Sequence, residues 1–417
     1  MREEFDALQR NRTWQLVPRP PNASIITDKW VFHHKTHSDG SLERYKARWV
    51  VHGFRQRVGV YFTDTFVPVV KSSTIRAVLQ LAVSHAWHVH QLDVSNTFPH
   101  GHLAEQVFGQ QPIGFVDATH PEHVCLLSRS LYRLKQAPRA WYLRNAAFLQ
   151  RLGFRSTWSD ASLFYVDDII LAASSTKLLQ QLTARLRNEF TLKDLGPLHY
   201  FLDIEYAMQQ VFLHIHAARD SHWNLVKWIL HYIRGTTAPG LTLMASSSTD
   251  LVAYSDVDWA GCPDTRCSTS GYCAYLGPSR ISWLSKRQPA VSRSSAEAEY
   301  RAVANDVAEC SWLRQLLQES LCDVHKATVV YCDNVFSVYL SANHVHHRRT
   351  KHIELDIHFV RQQVALGRIQ VLHVPTAQQF ADVMTKGLPT SIFEEFRSSL
   401  CVAGDVSTAG GGGGGGG

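Results

Sequence analysis

Acidic residues placed inside or at the end of apolar runs constrain this chain more than any other feature. QLDVSNTF carries Asp93, SLFYVDDIILAA is interrupted by Asp167 and Asp168, LVAYSDVDWAG carries Asp256 and Asp258, and ATVVYCDN leads to Asp333. Such runs read as strands, and a carboxylate in a buried strand is costly unless something compensates its charge. Alternation puts Asp256 and Asp258 on one face of their strand, an arrangement that suits a solvated edge as well as a site. Asp333 ends a strand ahead of a helical segment, where α/β sheets place their chemistry. Adjacent Asp167 and Asp168 fit a tight hairpin that presents both to metal ions alongside Asp93.

A long helix beginning near Ser295 contributes two glutamates of different character. Ser294 and Glu297 match the S-x-x-E capping box, so Glu297 reads as a structural cap. Glu299 instead heads the stripe Val303, Val307, Cys310 and Leu313, the core-facing side of the helix. A bound cation is the natural partner for a carboxylate there. Asp382, in QQFADVMTK, reads as lying at the start of the last helix, where the helix dipole favours an anion. Asp256, Glu299, Asp333 and Asp382 thus form a strand, helix, strand, helix series of hard oxygen ligands, suited to magnesium rather than zinc. Two such ions could activate a water and stabilise the leaving oxygen of a phosphodiester.

The 417 residues, 45% of them hydrophobic, suffice for two or three domains. Residues 1–205 mix strand-like and helical segments and read as α+β. Residues 206–249 read as a connection with one amphipathic helix, and 250–400 as a second, α/β domain. The glycine-rich end of 401–417 reads as a disordered tail. Seven Lys or Arg against three acids between Asp28 and Arg57 form a basic stripe suited to a polyanion or, more plainly, to a solvated face. The eight cysteines show no zinc or redox spacing; Cys262, Cys267 and Cys273 come nearest to a cluster but suit packing. The amino terminus MREEFDALQRNRTW has no apolar leader, and no run of about 18 apolar residues occurs, so a soluble, intracellular protein without membrane partners is expected.

The segments AYSDVDWAGCPDTRCSTSGY, ISWLSKRQPAVSRSSAEAEYRAVA, VVYCDN, HHRRTKHIELDIHFVR and FADVMTKGLP closely resemble the ribonuclease H domain of copia-type retrotransposons. The resemblance implies a ribonuclease H-like domain with a mixed five-stranded sheet and flanking helices. Asp256, Glu299, Asp333 and Asp382 would be ligands of two Mg2+ ions, and the RNA strand of an RNA–DNA hybrid the substrate. His347, Arg349 and Lys351, with His352, suit contact with backbone phosphates. The loop TAQQ after Pro375 lacks the histidine that cellular ribonucleases H carry there.

Upstream, WQLVPRP, KWVFHHK, DGSLERYKARWVVHGFRQ, FVPVVKSSTIR, QLDVSNTF, LKQAPRAWY, YVDDI and KDLGPLHYFLDIE resemble, in order, the copia-type reverse transcriptase. That likeness implies a fingers–palm fold acting on a primed RNA template. Asp93, Asp167 and Asp168 would be metal-binding catalytic acids, again with two Mg2+ ions, Lys46 and Arg48 would contact the nucleotide triphosphate, and Phe98 would exclude a ribose 2′-hydroxyl. The departures argue against polymerase activity. Arg133 stands where the family has glycine in LYGLKQ, and Asp203 replaces a glycine in the element that grips the primer. A strand before YVDD and most of the thumb look absent: Phe164 runs straight into Tyr165, and only 44 residues, Tyr206 to Thr249, precede the second domain. Three readings follow: a hybrid nuclease with a residual polymerase fold, a non-catalytic remnant that only binds nucleic acid, and a working reverse transcriptase.

Overall fold

The computed structural model describes residues 1–21, 23–36, 41–94, 101–161, 163, 168–173, 175–190, 192–197, 227, 240–320, 322–343, 351–400 and 402–403. In chain order the N-terminal half carries α1 (Arg2–Arg10), β1 (Trp14–Val17), β2 (Ile25–Ile26), β3 (Asp28–Thr36), β4 (Leu42–Val51), α2 (Ser72–Ser84), β5 (His88–Val94), β6 (His102–Gly109), β7 (Val124–Arg129), α3 (Ala137–Arg151), β8 (Asp168–Ala173), α4 (Thr176–Glu189) and β9 (Leu192–Pro197). The C-terminal half carries β10 (Gly240–Leu241), β11 (Leu251–Asp258), β12 (Thr269–Leu276), β13 (Ser279–Arg287), α5 (Ser295–Glu319), β14 (Thr328–Cys332), α6 (Val335–Ala342), α7 (Glu354–Ala365), β15 (Ile369–His373), α8 (Thr390–Ser399) and β16 (Val402–Ala403).

Two compact units result. The first takes Met1–Val70, His90–Leu171 and Ser175–Pro197; the second gathers Lys71–Val89 with the described residues of 240–403. This departs in one respect from a first region running unbroken to about residue 205. Helix α2 packs on β13, where the Arg76 guanidinium lies 3.5 Å from the centroid of the Trp283 ring and Arg280 4.3 Å from the same ring. Lys71 sits over Trp312 at 3.9 Å, and Gln80 Nε2 donates to the Met244 carbonyl at 2.8 Å. The sequence reads as helical from Thr74 to Ala86, but such local spacing carries no information about which sheet the helix packs on.

The second unit is built on a five-stranded sheet of order β13-β12-β11-β14-β15. β11 pairs antiparallel with β12 and parallel with β14, which pairs parallel with β15, so the sheet is mixed. A parallel neighbour requires a crossover, and α5 lies within the crossover from the β11–β13 meander to β14. Val303, Val307, Cys310 and Leu313 are fully buried along the stripe read from the sequence. This is the ribonuclease H-like arrangement, with β10 and β16 paired at the unit's two ends.

In the first unit, Trp14, Trp49, Val107, Leu127, Leu131 and Leu134 form one core, and Leu92, Val94, Trp141, Phe148, Leu186 and Phe190 a second. The loop between β7 and α3 is tied down by Gln56, whose side chain donates to Gln136 Oε1 at 2.9 Å and accepts from the Lys135 backbone at 2.8 Å. Gly53 abuts this loop so closely that a Cβ on it would lie 1.7 Å from the Arg133 carbonyl oxygen. Arg133 itself has φ +70°, the left-handed region that disfavours any residue with a Cβ. The backbone therefore supplies a reason for glycine at this position independent of any ligand. Arg133→Gly is expected to stabilise the first unit by up to about 1 kcal/mol, the relief of left-handed strain exceeding the entropy that glycine adds to the unfolded chain. Calorimetric unfolding of both proteins checks this; an unchanged or lower transition for the variant would count against the strain.

Candidate active site

The central strand β11 sets the site. Asp256 is 1% exposed and pairs in register with Gly271 of β12. A Cβ on Gly271 would lie 2.6 Å from Met384 Cβ and 2.7 Å from Thr385 Cγ2, so its absence lets the segment bearing Asp382 lie against the sheet. Asp258, two residues on, turns its carboxylate over Gly261.

Helix α5 begins as its sequence dictates. Ser294 accepts from the Glu297 amide at 3.2 Å, and Glu297 in turn accepts from the Arg293 amide at 3.0 Å and pairs with Arg301 at 2.8 Å. Glu297 is thus a structural cap. Glu299, one half-turn later, is only 7% exposed, and its Oε2 is buried without a hydrogen-bond partner. Asp333 follows the end of β14. One carboxylate oxygen each from Glu299 and Asp333, with Cys332 Sγ, lie within 4.8 Å of one another.

Asp382 completes the group, by a different local route from the one expected. It lies in a 3-10 turn, Phe380–Met384, not at the start of the last helix. Helix α8 begins only at Thr390, beyond Gly387 and Pro389, and a proline there cannot continue the earlier turn. Gln379 caps the turn, its Oε1 accepting from the Ala381 amide at 3.3 Å while its Nε2 donates to the Ser255 carbonyl at 3.0 Å, beside Asp256. The four acids converge: one oxygen each of Glu299 and Asp333 lie within 4.8 Å, Asp256 and Asp333 follow the paired Ser255 and Cys332 on adjacent strands, and the Lys386 side chain reaches both Asp256 and Asp382.

Burial, and then the charges of Asp256 and Asp333, push Glu299 up to about 9. Burial followed by Asp256 also raises Asp333. Asp382 is raised first by burial, against the pull of a hydrogen bond from Lys386. Three residues that sequence reasoning missed hold this cluster: Gln379, Thr385, whose hydroxyl donates to Asp256 Oδ2, and Lys386. Lys386 Nζ lies 3.2 Å from Asp256 Oδ1 and 2.9 Å from Asp382 Oδ1. Burial disfavours its charge, but the two carboxylates outweigh that and hold its pKa above the ordinary lysine value. The i,i+4 spacing of Asp382 and Lys386 is a signal that could have found it.

The donors present suit a hard divalent cation. The four acids offer oxygen, one of Glu299's oxygens is buried and unpartnered, and each negative charge opposes the others. Cys332 adjoins the acids, but burial followed by Glu299 raises its pKa and keeps it a neutral thiol. Cys262 and Cys267 meet through a backbone hydrogen bond while Cys273 is buried in β12, and the seven described cysteines form no disulfide with one another.

In the first unit, Asp93 lies on β5 opposite Lys193 of β9, and Asp168 begins β8, the other neighbour of β5 in a three-stranded sheet. The backbone thus puts Asp93 and Asp168 on adjacent strands. Asp167, Phe98, Asp203, His347 and Arg349 lie outside the described residues; Lys351 opens a 3-10 turn immediately before α7. Lys46 and Arg48 share one face of β4, and both act on the half-buried Glu4 carboxylate of α1, whose pKa burial raises and these cations lower. Arg48 also stacks on the Tyr132 ring at 4.9 Å. Among the described residues no helix is long and apolar enough to cross a membrane.

One unit thus places acids on adjacent strands of a three-stranded sheet, and the other gathers acids on a ribonuclease H-like sheet. The chain belongs to the reverse transcriptase (RNA-dependent DNA polymerase) family, matched over residues 11–226, and is similar to the Pol polyproteins of copia-type retrotransposons. It is 39% identical to the retrovirus-related Pol polyprotein from transposon RE2 of Arabidopsis thaliana, over 96% of this chain and 34% of that protein. Against the counterpart from transposon TNT 1-94 of Nicotiana tabacum it is 33% identical, over 94% and 37% respectively. The chain thus spans about a third of the length of these relatives. The first alignment runs over 489 positions, whereas 96% of 417 residues is about 400, so the relative holds about 89 positions without counterpart here. Among solved structures, the foamy viral protease-reverse transcriptase in complex with dsDNA covers 90% of this chain and 82% of that one at 12% identity and a TM-score of 0.40. The N-terminal RNase H domain of a Mycobacterium tuberculosis protein covers 36% and 99% at 16% identity and a TM-score of 0.26. Both superpositions are loose, and it is strand order and register that define the fold.

The raised Glu299 pKa has a signed consequence for the metal-free protein. Between the ordinary value of 4.5 and about 9 the folded chain keeps a proton that the unfolded chain has lost. The folded state then binds more protons, so stability falls as pH rises through that window. Glu299→Gln should remove this slope, so that in a chelator the variant gains on the native protein as pH rises. Urea denaturation across the window measures it, and parallel curves would contradict the assignment.

Proposed function

We propose that the second unit hydrolyses the RNA strand of an RNA–DNA hybrid, and that the first is a polymerase fold that no longer extends primers. The observation that carries this reading is the convergence of Asp256, Glu299, Asp333 and Asp382 with a buried Glu299 oxygen left unpartnered. In this reading the four acids hold two divalent ions, preferably Mg2+. Bound there, such ions supply an activated water and charge stabilisation for the departing oxygen of the phosphodiester.

The chain's own residues orient the acids. Thr385 and Lys386 hydrogen-bond to Asp256 and fix its carboxylate. Gln379 anchors the Asp382 turn to β11 through the Ser255 carbonyl, and the cap at Ser294 sets where α5 begins and so which residue reaches the site. His347, Arg349 and Lys351 precede α7 and are assigned to backbone phosphate, in keeping with recognition of hybrid shape rather than sequence.

In the first unit Asp93, Asp167 and Asp168 correspond to the metal-binding acids of a polymerase, Lys46 and Arg48 to its nucleotide contacts and Phe98 to the residue that excludes a 2′-hydroxyl. Loss of primer extension is supported by Arg133 in left-handed backbone where the family pattern has glycine, and by Asp203 in place of another. The short interval from Tyr206 to Thr249, 44 residues where a separately packed thumb would need about 50 or more, points the same way.

With labelled RNA–DNA hybrid and Mg2+, the purified chain is expected to cleave the RNA strand. Asp333→Asn should reduce the rate about 100-fold or more, since removing a ligand forfeits several kcal/mol of charge stabilisation. Equal behaviour of the two proteins would favour a non-catalytic remnant that only binds nucleic acid. Nucleotide incorporation on a primed RNA template is expected to be undetectable, and its detection would overturn the assignment of the first unit.

A further inference from the structure

The acids assigned to divalent ions also hold a cation that belongs to the chain. Lys386 Nζ lies 3.2 Å from each oxygen of Asp256 and 2.9 Å from Asp382 Oδ1, so it bridges the two carboxylates. A magnesium ion shared by Asp256 and Asp382 would need these oxygens at about 2.0–2.1 Å. Ammonium and ion would then compete for the same oxygens and repel one another at close range. The other side of the cluster differs. Glu299 and Asp333 lie beyond the lysine's hydrogen bonds, and Glu299 Oε2 is buried and unpartnered.

We infer that Lys386 is a tethered counter-ion that makes the two ion sites unequal: the Asp256–Glu299–Asp333 side fills with the lysine in place, whereas an ion bridging Asp256 and Asp382 enters only when the lysine withdraws. The inference rests on the metal-dependent reading above. The fold leaves the lysine a way out. Its side chain is about a third exposed, and the neighbouring Gly387 has open space where a Cβ would project. The backbone amide of Lys386 bonds to the Asp382 carbonyl at 2.9 Å, so the four-carbon stem can swing while the turn that carries Asp382 stays fixed. Until it leaves, the ammonium offsets part of the repulsion among the acids. Lys386 is therefore a positioning residue that sets the order in which ions bind.

The test uses the full chain and Mn2+ as the probe, with binding followed by electron paramagnetic resonance and by thermal unfolding. The native protein is expected to show one tighter and one weaker Mn2+ equilibrium. Lys386→Met should tighten the weaker one by about tenfold or more, because a unit positive charge leaves the ion's immediate surroundings. The same variant should melt lower than the native protein in chelator yet gain more from saturating Mn2+. Lys386→Gln, which keeps hydrogen-bonding capacity without charge, should tighten the weaker equilibrium as well and serves if the methionine variant fails to fold. A weaker equilibrium unchanged or loosened in both variants would overturn the inference. If neither the native protein nor the variants bind Mn2+ more tightly than Asp333→Asn does, the metal reading itself fails and the inference falls with it.

Discussion

Mutual repulsion among carboxylates gathered in a poorly solvated place is the constraint on which the second unit turns. Asp256, Glu299, Asp333 and Asp382 are spread over 127 residue positions, and each arrives on a different element. The sheet order makes the meeting unavoidable. Once β14 pairs parallel to β11, the strand end bearing Asp333 lies beside Asp256, and the intervening chain must cross over one face of the sheet, carrying α5 and Glu299 with it. The apolar stripe of α5 then fixes the rotation of that helix, and Glu299 has nowhere to point but inward. Folding thus assembles a cluster that electrostatics alone would disperse.

How far this was legible in the sequence depended on whether a residue's role was local. The cap at Ser294 and Glu297 and the inward position of Glu299 follow from spacing within one helix, and the structure realises both. Asp333 at a strand end was legible for the same reason. Asp382 was found as an acid, but its setting was misread, because a short 3-10 turn and the onset of a helix share the same first residues until Gly387 and Pro389 separate them. Gln379 and Thr385 owe their roles to β11, and Gly271 of β12 to Met384 and Thr385, each more than a hundred residues away, and no spacing rule announces such contacts. Helix α2 teaches the same lesson at larger scale: its helical character was legible, whereas its place against Trp283 of β13 was not.

The first unit repeats the scheme of acids on adjacent strands, with Asp93 on β5 and Asp168 opening β8. There, however, a strained residue stands in the framework. Arg133 adopts left-handed backbone beside Gly53, whose close approach to the Arg133 carbonyl leaves that loop little room to relax. Comparison with the family pattern marks Arg133 as a departure without giving its physical cause. The backbone adds a cause that acts even with no ligand present, and it weakens the loop that joins β7 to α3.

These contrasts bear on why the acids of the second unit are present at all. Residues that serve only a fold lower its free energy, and a buried, unpartnered carboxylate such as Glu299 does the opposite. Replacing Glu299 or Asp333, which lie beyond the hydrogen bonds of Lys386, by its amide would relieve repulsion without disturbing the strand pairing or the stripe of α5. Stability therefore gives no account of their presence, and packing gives none either. What accounts for them is a requirement for concentrated negative charge, moderated by Lys386 and fixed by hydrogen bonds from Thr385 and Gln379 to the elements that carry it. Such a requirement arises where multivalent cations are to be held against a phosphate backbone, and that is the physical basis for reading this unit as a nuclease.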